Sequence, residues 1–110
     1  MGYNIVEVFT VNVIESILVE ERQRNLDMQK SYMDEINKLP KGTVVIKKIG
    51  NKEYCYLKYR RGDKFISQYM GHASEKAVLL KRQVEKRRYF EKLLRELKNE
   101  YKLICKVVKV

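Results

Sequence analysis

Four residues in alternation, Tyr54, Tyr56, Lys58 and Arg60, are the part of this chain most suited to chemistry with another molecule. Residues two apart in an extended chain share one face. Two rings and two cations would therefore stand in a row. Phe65, Ser67 and Tyr69 alternate in the same way, and Lys47 lies on a neighbouring segment. Cations neutralise phosphates, and aromatic faces stack on bases. A second basic group, Lys81, Arg82, Lys86, Arg87 and Arg88, follows later; Arg82 and Lys86 are four apart, with Arg88 near the same side. The expected nucleic-acid-binding residues are Lys47, Tyr54, Tyr56, Lys58, Arg60, Tyr69, Lys81, Arg82, Lys86 and Arg88. Base edges in a DNA major groove are within reach of Lys58 or Arg60 if the strands enter it.

Catalytic patterns are not read. The one histidine, His72, has no evident nucleophile or carboxylate beside it, and its expected role is in a turn or helix cap. There is no glycine-rich phosphate loop, zinc spacing or serine-nucleophile motif. The expectation is a binding protein, not an enzyme, with no metal and no cofactor.

The elements that position these residues are legible in outline, and the fold class expected is α+β. Residues 43–49, 53–61 and 64–70 read as strands, separated by Gly50-Asn51 and Gly62-Asp63. Two-residue glycine turns of this kind make hairpins, so the three segments form an antiparallel β-meander. With two-residue turns, Tyr59 lies opposite Ile66 and Leu57 opposite Gln68. Val44, Ile46, Cys55, Leu57, Tyr59, Ile66 and Met70 then form one apolar face for packing, and the tyrosine-rich face is the other. Two arrangements of that second face are open: exposed for binding, or covered by the N-terminal helix.

A helix is expected from about Thr10 to Leu39, with Ile14, Ile17 and Leu18 beginning a stripe that Met28, Tyr32, Ile36 and Leu39 continue. Pro40 stops it. Residues 3–13 suit either a strand or a helix. A long amphipathic helix follows the sheet, with Ser74 as N-cap and Leu80, Val84, Phe90, Leu94, Leu97, Tyr101 and Ile104 as its stripe. Only Arg87 interrupts that stripe. The length suggests coiled-coil pairing, within the chain or in a homodimer. The β-branched residues after Ile104 either fray or pair with residues 3–11.

The segment LPKGTVVIKKIGNKEYCYLKYRRGDKFISQYMG, residues 39–71, with the basic helix after it, resembles a family of small bacterial and phage-type proteins. Leu39-Pro40-Lys41-Gly42, Tyr54, Tyr56, Leu57, Tyr59, Arg60, Gly62, Lys64, Ser67, Tyr69 and Gly71 carry the match. The resemblance implies a fold and brings no activity with it. The layout is also similar to the arm-type DNA-binding domains of tyrosine recombinases, which set a three-stranded sheet into the major groove. That likeness is of layout alone.

Composition agrees with this outline. The chain has 110 residues, 45% hydrophobic and 35% charged, with net charge +10. Residues 1–39 hold 4 Lys/Arg and 7 Asp/Glu, net −3; residues 40–110 hold 20 and 7, net +13. An acidic helical arm, 1–39, therefore precedes a basic meander-and-helix segment, 40–110, in a single domain. A polyanion, DNA or RNA, is the partner such asymmetry attracts. No membrane span and no signal peptide are read. Cys55 and Cys105 read as reduced thiols of a cytoplasmic protein. The alternative reading is a protein-interaction module, such as an anti-CRISPR-like inhibitor acting on a nucleic-acid enzyme, with the amphipathic helices gripping the partner.

Overall fold

The computed structural model describes residues 5–72 and 75–108, with side chains described from Val13 onward. Its elements are α1 (Ile5–Asn37), β1 (Thr43–Ile49), β2 (Lys52–Arg61), β3 (Lys64–His72) and α2 (Glu75–Val107). This is the α+β layout expected. The three strands form one antiparallel sheet in the order β1-β2-β3. The segment that suited strand or helix is helical from Ile5. The residues after Ile104 stay helical to Val107, and Lys109 and Val110 lie outside the described residues. The expected cap at Ser74 lies outside the described residues.

Each hairpin closes on two residues. Ile49 pairs with Lys52, and Arg61 with Lys64. Tyr59 pairs with Ile66 and Leu57 with Gln68, as the turn chemistry requires. One irregularity was not foreseen: Cys55 pairs with Gly71 but Tyr56 with Tyr69, so Met70 is an inserted residue. Such a bulge increases the local twist. It also returns His72 to the same face as Tyr54.

The chain forms two compact units. One comprises residues 34–91, and the other residues 1–33 with 92–110. Both helices contribute to both units, so the packing boundary does not follow the charge boundary at residue 39.

The first unit holds the sheet. Its core is Cys55 and Leu57 from β2 with Ala77, Leu80 and Val84 from α2. Val44, Tyr59 and Met70 pack around them. Burying Leu57, Leu80 and Val84 contributes roughly 1.5–3 kcal/mol each before entropy. Two members of the expected packed face sit differently. Ile46 is 52% exposed and Ile66 half-buried, so the inner face is sealed only beneath the first turns of α2. α1 ends two residues earlier than Leu39, with Lys38 and Leu39 N–H bonded to the carbonyls of Glu35 and Ile36. Arg87, the break in the α2 stripe, ties this exit down: its Nη1 donates to Leu39 O at 2.6 Å and its Nε to Glu91 Oε1 at 2.9 Å. Gly42 follows with φ +138°; a Cβ there would sit 2.5 Å from Lys58 O.

In the second unit the helices pair. Asn25, 4% exposed, donates from Nδ2 to Leu97 O at 2.9 Å, and its Oδ1 accepts from Gln29 at 2.7 Å. Tyr101 feels the charge of Arg22. Arg22 is three residues back on α1 and Tyr101 four forward on α2 from the Asn25–Leu97 bond, the offset of an antiparallel pair. Ile14 and Ile17, expected in the packed stripe, are instead 53% and 52% exposed. Asn25 occupies a position in that stripe which spacing alone reserved for an apolar side chain. Among the described residues no helix is long and apolar enough to cross a membrane.

Candidate nucleic-acid interface

Because α2 packs on the face bearing Cys55 and Leu57, the sheet's other face is its outer one. Register assigns that face Thr43, Val45, Lys47 and Ile49 from β1, Lys52, Tyr54, Tyr56, Lys58 and Arg60 from β2, and Phe65, Ser67, Tyr69 and His72 from β3. It bears four Lys/Arg, all exposed, and no carboxylate, since Glu53 falls on the inner parity and Asp63 in a turn. Phe65 is 84% exposed and Tyr69 51%; Tyr54 and Tyr56 are half-buried.

The rings run in a series. His72 lies 5.3 Å from Tyr54, Tyr54 lies 6.1 Å from Tyr69, and Tyr69 lies 5.5 Å from Tyr56, centroid to centroid. All are mutually tilted, by 35° to 54°. Lys47 Nζ stands 4.9 Å over Tyr56 at the end of the series. Tyr54 and Tyr56 thus spend much of their surface on neighbours. Tyr69 and Phe65 present the most open ring area, and Phe65 was outside the expected site set. Arg60 lies 5.6 Å over Phe65, and its Nε donates to Gly62 O at 3.0 Å. A cation and a ring are thereby held together at the second hairpin.

His72 closes β3 against Tyr54 instead of starting or capping α2. Its position past a bulge, unreadable from spacing, accounts for the difference.

The basic residues of α2 divide. Ala77, Leu80 and Val84 face the sheet, so helical geometry turns Arg82 and Lys86 to the opposite side of α2, away from the sheet. Lys86 lies 5.8 Å over Phe90. Lys81 and Arg82 are exposed. Arg88 reaches the start of β1, its Nη2 donating to Gly42 O at 3.0 Å and to Thr43 Oγ1 at 3.1 Å. The charges of helix and sheet therefore do not form one continuous surface, because the sheet itself lies between the outer face and α2.

Basic residues of both elements line one cleft. A cleft of about 540 Å³ opens beside Gly42, lined by Lys58, Arg60 and Phe65 from the sheet and by Arg87 and Arg88 from α2, with Lys41, Tyr59 and Glu91 completing the wall. Lys41 and Arg87 were not in the expected set. Arg87 is legible in retrospect as the one charge in an apolar stripe. Among the described residues no group of three His, Cys, Asp or Glu is arranged to hold a metal ion. Comparison with family models, with curated proteins and with solved structures finds no match to this chain.

Proposed function

We propose that this protein binds nucleic acid through the outer face of its sheet, and that single strands are its preferred form. The observation that carries this is the exposed, carboxylate-free face on which Phe65 and Tyr69 stand among Lys47, Lys52, Lys58 and Arg60. Rings open to solvent stack on unpaired bases, whereas bases inside a duplex offer no such faces. The cations would follow the backbone and supply affinity without sequence preference. DNA and RNA fit equally. The resemblance to phage-type proteins suggests an accessory role in a phage or mobile element. Two free thiols, Cys55 and Cys105, support a reducing, cytoplasmic setting.

Fluorescence anisotropy with a labelled single strand and a labelled duplex tests the reading. Binding at low salt is expected, tighter for the single strand. Phe65→Ala should weaken it about tenfold, since stacking on one ring is worth about 1–3 kcal/mol per base. If neither probe binds at low salt, the reading fails.

A second reading, self-association, is favoured by apolar ridges on the helix pair. Val13 and Ile17 on α1, and Leu103 and Val107 on α2, are 41% to 66% exposed and four residues apart in each helix. A second copy of the chain offers the same ridges in return. Sedimentation equilibrium decides: a monomer at high concentration removes this reading and leaves the first untouched.

A further inference from the structure

We infer that the cleft beside Gly42 binds a nucleoside phosphate. Its lining residues include five that are basic, Lys41, Lys58, Arg60, Arg87 and Arg88, and one carboxylate, Glu91. Glu91 already accepts from Arg87 Nε at 2.9 Å. Basic residues so outnumber acidic ones around the cleft that the local potential favours an anion.

The two arginines from α2 are held in advance of any ligand. Leu39 O fixes Arg87, and Gly42 O with Thr43 Oγ1 fixes Arg88. A guanidinium has five N–H donors in a planar fork, so both retain donors beyond these bonds. That fork matches phosphate oxygens in pairs. Prior fixing lowers the entropy lost when a ligand arrives.

The remaining wall suits a nucleoside. Phe65 stands open at the rim with Arg60 over its ring, and Tyr59 is half-buried beside them. A base stacks on either kind of surface. The volume lies within the range of about 300–1,000 Å³ typical of small-ligand clefts. It suits a mononucleotide better than a stretch of duplex.

Two sources carry this chemistry: a free nucleotide, and the phosphorylated end of a strand lying on the outer face, to which Lys58 and Arg60 also belong. Only the second source rests on the function proposed above.

The test uses the whole protein and four probes: inorganic phosphate, AMP, and a short single strand with and without a terminal phosphate. Amide NMR shifts at Gly42, Thr43 and Arg88 report occupancy. AMP is expected to saturate these shifts and to bind more tightly than inorganic phosphate. Lys41→Gln, at an exposed position, should weaken AMP about tenfold. Arg88→Lys should weaken it too, by removing the fork. No saturable shift with AMP, or AMP binding indifferent to both substitutions, overturns the inference. If the terminal phosphate tightens strand binding and Lys41→Gln abolishes that gain, the occupant is a strand end. If AMP saturates but the terminal phosphate adds nothing, it is a free nucleotide. Strand binding that responds neither to AMP nor to a terminal phosphate overturns the cleft and leaves the outer face standing. AMP saturation on a protein that binds no strand does the opposite.

Discussion

Side chains that differ in exposure answer to different assays. Phe65 packs on little but Arg60, so Phe65→Ala should change stability by no more than about 0.5 kcal/mol and be read almost wholly in binding. Gly42 is the reverse case. Its φ of +138° disfavours any side chain, and a Cβ would meet the Lys58 carbonyl, which is backbone and cannot swing away. Gly42→Ala should destabilise the sheet unit by more than about 2 kcal/mol, measured as a lower urea midpoint. Tyr101 is distinguished by its titration. Its hydrogen bond with Cys105 holds the phenol above its ordinary value of 10.0; the charge of a Cys105 thiolate and burial add to this, and Arg22 opposes it. A raised value means the fold prefers the neutral phenol. That stabilisation is complete below the ordinary value and is lost as pH rises through the higher folded one. Cys105→Ala should therefore lower the Tyr101 transition, followed by ultraviolet absorbance, back toward the ordinary phenol value.

At the scale of elements, the sheet was legible almost residue by residue. Gly50-Asn51 and Gly62-Asp63 set both registers, and register sets faces, so the outer surface could be read by counting. Counting fails where the backbone breaks period two. The Met70 bulge is a property of pairing with β2 and leaves no mark in β3 alone, so His72 was misplaced. Helix α1 was legible in type but not in its packing. Ile14 and Ile17 carry the right spacing yet stay exposed, while Asn25 goes inside because Leu97 O is there to receive it. Asn25→Ala should lower stability by about 1 kcal/mol in a chemical melt, the net worth of an ordinary hydrogen bond. A larger loss would show that Asn25 also sets the register of the pair.

For the whole molecule, charge is concentrated. Residues 34–91 hold 15 Lys/Arg and 7 Asp/Glu, net +8 of the total +10. The unit that bears the outer face is thus also the one that would draw a polyanion from a distance. If the four cations of that face each meet a phosphate, log K for a single strand should fall against log salt with a slope of about −3. A slope near zero would mean that rings, not charge, hold the ligand. Adding Arg82→Gln should leave the slope unchanged, because that side chain points away from the sheet.

Sequence alone determined the strands, their turns, the pairing beside each turn, the helices from about Thr10 and after the sheet, and the alternation that gathers rings and cations on one side of the sheet. These follow from local chemistry: glycine turns, period two, period 3.6. Which basic residues work together was decided only in three dimensions. The packing of Leu80 and Val84 on Cys55 and Leu57 puts the sheet between Arg82 and the tyrosines, and the same packing brings Arg87 and Arg88 to the chain around Gly42. No count along the chain reveals that, because it depends on which face of the sheet the helix covers.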